Sequence, residues 1–205
     1  EATTLQALFK EMLDEGVTHV VMEVSSHALE LGRVTGTRFD VAGFTNLSQD
    51  HLDFHPTMEE YFEAKARFFD PESPLVADRT VICIDDDWGR RMADRAADPL
   101  TVATRGAEAD ISAAQAQLTP TGAQLLVMHL PDTFLEAELP LPGDFNIANA
   151  ALATGMAYAV GVDPRDFVGG FVNVAVPGRM ERIDEGQEFL AVVDYAHKPA
   201  AVAAV

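Results

Sequence analysis

Short apolar runs recur through the first half of the chain, and the stretches between them are helical in period. The runs are residues 19–24 (HVVMEV), 41–44 (VAGF), 80–84 (TVICI) and 100–103 (LTVA). Each is apolar on both faces, which a strand requires when helices cover both sides of its sheet. Residues 4–15 place Leu5, Leu8, Phe9, Met12 and Leu13 at helical spacing, and Gly16 ends the pattern. A helix over 57–69 begins at Thr57, with Glu59 and Glu60 in its first turn, and Asp85, Asp86 and Asp87 precede another over 88–96. Strand and helix in strict alternation predict a mostly parallel, doubly wound α/β sheet.

The texture then changes. Residues 109–118, 122–130 and 133–139 read as short strands separated by turn residues, a small antiparallel meander added to the main sheet. Gly143-Asp144 opens a helix over 145–160, and Asp163-Pro164 opens another over 165–171. Residues 177–179 (PGR) are a turn, 189–193 a last strand, and Lys198-Pro199 starts a last helix. A domain boundary is expected near 184–187.

Charge narrows the partners. The chain carries 33 acids against 14 Lys and Arg, a formal net charge of −19. Nucleic acid and anionic membrane both need basic patches, so neither is expected. A small anionic ligand needs only a few local cations and stays open. No apolar run approaches the ~20 residues of a membrane span, and no signal peptide opens the chain. The one cysteine, Cys83, sits inside TVICI and is expected buried, in a reducing compartment. The chain has no initiator Met and ends inside a starting helix, so it reads as part of a longer protein.

Several residues could carry chemistry. Glu23 is a carboxylate in an otherwise apolar run, a place that suits a metal ligand or a side chain reaching solvent. Asp50, His51, Asp53 and His55 crowd into six residues where a strand feeds a loop before a helix. Such loops hold ligands in open α/β sheets. Imidazole with carboxylate suits a divalent cation, and the same residues could instead cap the next helix. Lys65, late on that helix, reads by itself as a solvated partner of its acidic neighbours. Asn146 and Asn149 lie three apart on one helix face, and asparagine there suggests hydrogen-bonding work. Arg179, in a Pro-Gly turn, is either exposed or a phosphate ligand. Asp194 and His197 follow the last strand. No G-x-x-x-x-G-K-S/T phosphate loop occurs in these residues.

Taken together, MEVSSHALELGR, FTNLSQDHLDFHPTMEEYFEAKARFF, GDFNIANAALAT, VPGRMERID and VDYAHKP resemble the muramyl ligases. The likeness is strongest to the branch that adds the third residue of the peptidoglycan stem peptide. It covers nearly the whole chain in the family's order. It implies a bacterial, cytoplasmic, ATP-dependent amide ligase, expected to be a monomer. The partners implied are UDP-N-acetylmuramoyl-L-alanyl-D-glutamate and a diamino acid, meso-diaminopimelate or L-lysine, joined through an acyl phosphate. Residues 1–186 would be a P-loop-ligase-like central ATP-binding domain, and 187–205 the start of a Rossmann-like C-terminal domain.

By resemblance, Glu23 and His51 match magnesium ligands, and Lys65 matches a lysine that becomes carbamylated and helps place magnesium. Lys65 and His51 are thereby the expected catalytic pair. Ser25 and Arg33 match contacts to the UDP-muramyl substrate. Asn146, Asn149, Arg179, Asp194 and His197 match the surroundings of ATP. The family's phosphate loop belongs upstream of Glu1, and Leu31 stands where some relatives carry glutamine. Residues 1–205 alone are therefore expected to be inactive. A sister muramyl ligase, a folylpolyglutamate synthase, a noncatalytic binding module and a metallohydrolase remain the alternative readings.

Overall fold

The structure is a computed structural model that describes residues 1–48, 54–119, 123–189, 191–197 and 199–204. It opens with helix α1 (Ala2–Asp14) and, after an extended stretch, the short helix α2 (Ser26–Glu30). Then come β1 (Ala42–Phe44), α3 (Met58–Ala66), β2 (Thr80–Cys83), α4 (Asp87–Arg95) and β3 (Leu100–Ala103). Strands β4 (Ile111–Leu118), β5 (Gln124–His129) and β6 (Phe134–Leu139) follow. The long helix α5 (Asp144–Ala159), α6 (Pro164–Phe167) and a 3-10 turn (Val168–Asn173) come next. The hairpin strands β7 (Glu181–Ile183) and β8 (Ala191–Val193) precede α7 (Pro199–Ala204).

One six-stranded sheet runs in the order β1-β2-β3-β4-β5-β6. β1 through β4 pair in parallel and β4-β5-β6 are antiparallel, so the meander extends the main sheet instead of forming a second layer. The strand period of two sends alternate side chains to opposite faces. Val81 and Cys83 join the cluster around Ile147, Ala150, Ala151 and Leu152 of α5. Ile82 joins Phe62 of α3 and Met92 of α4 in the other cluster. Helices thus cover both faces, as the doubly apolar strands predict.

α4 sits hard against the end of β2. A Cβ on Gly89 would lie 1.9 Å from the carbonyl oxygen of Cys83, so only glycine allows this approach. Asp86 caps α4 by accepting the Gly89 N–H at 2.7 Å. Asp85 does different work. It accepts from the Thr104 N–H (2.8 Å), the Thr104 hydroxyl (2.6 Å) and the Arg105 N–H (3.1 Å), tying the end of β2 to the end of β3. Burial raises the pKa of Asp85, but the Thr104 and Arg105 donors outweigh it and hold the carboxyl below its ordinary value. Burial pushes the Cys83 thiol up to about 11, so this cysteine is protonated at neutral pH.

Two expectations need correction. Residues 19–24 form no strand. They run extended with no ladder partner among the described residues, and Val21 is 93% exposed. A strand exists only through its hydrogen-bonded neighbour, and the partner mapped for β1 is β2. Conversely, residues 181–183, which the sequence pattern leaves without a strand, form β7, because β8 supplies an antiparallel partner. The stretch 184–187 lies between β7 and β8.

Candidate functional site

α2 and α3 form one wall. Ser25 is the N-cap of α2, and its Oγ accepts the Ala28 N–H at 3.1 Å. Past the other end of α2 the Arg33 N–H returns to the Ala28 carbonyl at 2.8 Å, and its side chain is exposed. Ser25 and Arg33 therefore bracket one short helix. Glu23 is exposed in the extended stretch before α2, so the strand-end position expected for it is not formed.

On α3, Thr57 caps the first turn by accepting the Glu60 N–H at 3.1 Å. Tyr61 is buried, and Lys65 places its Nζ 5.2 Å from the centre of the Tyr61 ring. His55 fills the space between α2 and α3. Its ring stacks on Tyr61, with centroids 5.1 Å apart and planes 17° apart. Its Nε2 lies 2.8 Å from Ser26 Oγ. Phe54 meets the His55 ring edge-on at 4.8 Å and packs on His27 at 4.0 Å. An ion pair from Arg67 to Glu30 at 3.2 Å also joins the two helices.

This geometry corrects the reading of His55 as a cation ligand. The imidazole is 4% exposed, enclosed by rings, and hydrogen-bonded to a serine that is 1% exposed. Asp50, His51 and Asp53 lie outside the described residues. Among the described residues, no group of three or more His, Cys, Asp or Glu is arranged to hold a metal ion.

The asparagine pair divides its labour. Asn146 is buried and donates from Nδ2 to the Pro142 carbonyl at 2.7 Å. Gln124, also buried, donates from Nε2 to the carbonyls of Leu141 (2.8 Å) and Gly143 (3.2 Å). The loop that starts α5 is thus held by two buried amides, and α5 begins at Gly143 without a side-chain cap. Asn149 is exposed on the next turn, with its Nδ2 3.5 Å from Asn146 Oδ1. Sequence reasoning missed Gln124. A polar residue on the inward register of a strand was the available signal.

Arg179, Asp194 and His197 come together on the β7–β8 hairpin. Pro177 and Gly178 make a tight turn, with Gly178 at φ +69° and the Arg179 N–H on the Val176 carbonyl at 3.0 Å. Asp194 then accepts the Met180 N–H (2.8 Å) and the Ala196 N–H (2.7 Å). These backbone donors, with Arg179 nearby, hold its carboxyl below its ordinary value. The Arg179 guanidinium lies over the Tyr195 ring at 5.1 Å, and the His197 ring meets that ring at 5.0 Å. An exposed guanidinium, a carboxylate and an imidazole thus share one surface.

Known proteins resemble this chain in sequence and fold. The Mur ligase middle domain matches residues 1–157. A UDP-N-acetylmuramoyl-L-alanyl-D-glutamate–2,6-diaminopimelate ligase of Corynebacterium glutamicum is 66% identical over 100% of this chain and 40% of its own length. A protein of the same name from Streptomyces coelicolor is 46% identical over 100% of this chain and 40% of its own. A solved structure of a ligase of that name superposes with a TM-score of 0.81 at 33% identity, covering 97% of this chain and 41% of that one. The chain therefore spans about two-fifths of the length of each relative.

Proposed function

The chain belongs to the Mur ligase family through its middle domain, and from that premise we propose that it is the central, ATP-handling part of a 2,6-diaminopimelate-adding ligase. The whole protein would join 2,6-diaminopimelate to UDP-N-acetylmuramoyl-L-alanyl-D-glutamate with ATP, in the bacterial cytoplasm. The observation that carries this reading is the match of relatives of that name along the entire chain, at 66% and 46% identity. It favours diaminopimelate over L-lysine, which the motifs by themselves leave open.

In this reading the wall of α2 and α3 receives the muramyl substrate and the reacting carboxylate. Ser25 and Arg33 contact the UDP-muramyl portion, and Lys65 faces the reacting end. Asn149 and the hairpin residues Arg179, Asp194 and His197 take the nucleotide. The buried Asn146 acts by holding the loop that presents α5. Residues 1–186 serve as the central domain, and 187–205 begin the next.

Glu23, His51 and Lys65 would hold magnesium. A carboxylate, an imidazole and a carbamate on Lys65 offer the oxygen-rich donors that a hard divalent cation takes. Bound there, magnesium would neutralise charge on the transferring phosphoryl group. The chain's own task is to bring two anions together and hold them in line, which is most of what phosphoryl transfer needs from a protein. ATP would phosphorylate the glutamyl carboxylate, and the amine of the diamino acid would then displace phosphate to leave the amide.

The test is phosphate release by the full-length protein, supplied with the UDP-dipeptide, ATP and magnesium, with diaminopimelate and lysine in parallel. Release that depends on diaminopimelate is expected. Release with lysine alone would overturn the specificity, and a folded protein that binds the UDP-dipeptide but releases nothing would overturn the ligase reading. Lys65→Ala should lower kcat by about 100-fold or more.

A further inference from the structure

We propose that His55 is a positioning residue that locks the Ser25–Ser26 turn to α3, so that Ser25 and Lys65 are presented as one surface. The inference rests on the ligase reading only for its kinetic arm.

The contacts run in a continuous chain. Ser26 follows the residue whose hydroxyl caps α2, and its own Oγ meets His55 Nε2 at 2.8 Å. The His55 ring lies nearly parallel to Tyr61, 5.1 Å away. Tyr61 carries the Lys65 ammonium 5.2 Å from its ring centre. One buried imidazole therefore touches a neighbour of a proposed substrate contact on one side. On the other it touches the ring that supports the proposed catalytic lysine.

The chemistry of the pair argues for position over filling. Burying an imidazole and a hydroxyl is unfavourable unless each satisfies the other. Two apolar residues of the same shape would fill such a space about as well. A hydrogen bond adds direction, which packing alone lacks, because it fixes the α2 turn to within a few tenths of an ångström of the His55 ring. Ser26 and His55 are buried to 1% and 4% exposure, and no buried side-chain nitrogen or oxygen among the described residues lacks a partner. The lock is thus satisfied and enclosed. An open depression beside it is lined by Glu30, Phe54, His55, Glu60 and Glu63.

In this proposal His55 acts through Ser26 and Tyr61, so its loss should act through geometry. The discriminating variant is the double substitution Ser26→Ala with His55→Phe in the full-length protein. It removes the Ser26 hydroxyl and the imidazole nitrogens and keeps a ring on Tyr61. Two readouts are taken beside the melting temperature. The first is hydrogen exchange at the Ala28 amide, which donates to Ser25 Oγ. Exchange about tenfold faster than in the parent is expected, the scale of one hydrogen bond weakened. The second is kcat, expected to fall about 100-fold through misplacement, with KM for ATP within about twofold.

The single variant His55→Gln, whose amide can still reach Ser26, should recover part of both. If the double variant melts like the parent and its Ala28 amide exchanges at the parental rate, the pair is only core filling and the inference fails. That outcome does not depend on activity. A parent that releases no phosphate would sink the ligase reading while leaving the exchange result to decide this one.

Discussion

Residues 1–25 and the β2–β4 layer under α5 are made of the same kinds of residue and end in opposite surroundings. α1 has an apolar stripe of Leu5, Phe9 and Met12, yet none of its residues is buried. The run HVVMEV that follows it leaves Val20 and Val21 in solvent. TVIC and LTVA are no more apolar, yet Val81, Ile82 and Val102 are fully buried. The difference is partnership. β2 has a hydrogen-bonded strand on each edge and a helix layer on each face. An apolar run contributes stability only when neighbours remove it from water, and a strand forms only when another backbone takes its hydrogen bonds.

The largest test of this contrast is a pair of truncations. Ile111→Ala, in the core under α5, should cost about 3–4 kcal/mol. Val21→Ala should stay within about 0.5 kcal/mol. Chemical denaturation of both variants measures the gap, and equal losses would break the contrast. Next comes Gly89→Ala, which drives a methyl into the Cys83 carbonyl where α4 meets β2. A loss of about 2–3 kcal/mol is expected, and a neutral result would mean that α4 can slide along the sheet.

A smaller effect follows from acid. Asp85 has a folded pKa lowered from its ordinary 3.8. A carboxyl shifted down contributes stability that is fully present above the unfolded value and is lost as pH falls through the folded value. The parent should therefore lose stability below about pH 4 more steeply than Asp85→Asn. Parallel curves from thermal melts at stepped pH would show that the carboxyl is not acting as a clasp between β2 and β3. The smallest effect belongs to the ion pairs that join α4 to α3 and to the segment after it. Arg91 meets Glu59, and Arg95 meets Glu63 at 3.1 Å and Asp70 at 2.6 Å. A double-mutant cycle on Arg91 and Glu59 should give a coupling under about 1 kcal/mol, shrinking with salt. A larger value would credit part of that coupling to the Arg91 guanidinium stacked on Phe62 and Trp88 at 4.5 and 4.7 Å.

The two candidate surfaces differ in how far they are legible in the sequence. The Arg179, Asp194 and His197 surface is readable because its residues are local. A Pro-Gly turn and a strand end bring them together on one hairpin, although β7 itself carries no strand signal of its own. The lock between Ser26 and His55 is not readable. The two residues are separated by a strand and two connecting segments, and nothing in SSH or DFH announces that one hydroxyl will meet one imidazole. The crowd of Asp50, His51, Asp53 and His55 looks like a single ligand set. The fold takes His55 out of it, because the packing of α2 on α3 encloses that ring.

By itself the sequence determined the order of helices and strands from β1 through β6 and the two-faced burial of the sheet. It also determined the caps at Thr57, Asp86 and Asp163 and the turn at Gly178. These are local matters of period, capping oxygen and backbone freedom, decided within a few residues. Tertiary structure alone decided that HVVMEV would find no ladder partner among the described residues and that residues 181–183 would pair as a strand. It also decided that Gln124 and Asn146 would hold one loop and that His55 would face Ser26. Each of these depends on which distant group arrives to accept a hydrogen bond or exclude water, and that is settled only when the whole chain has packed.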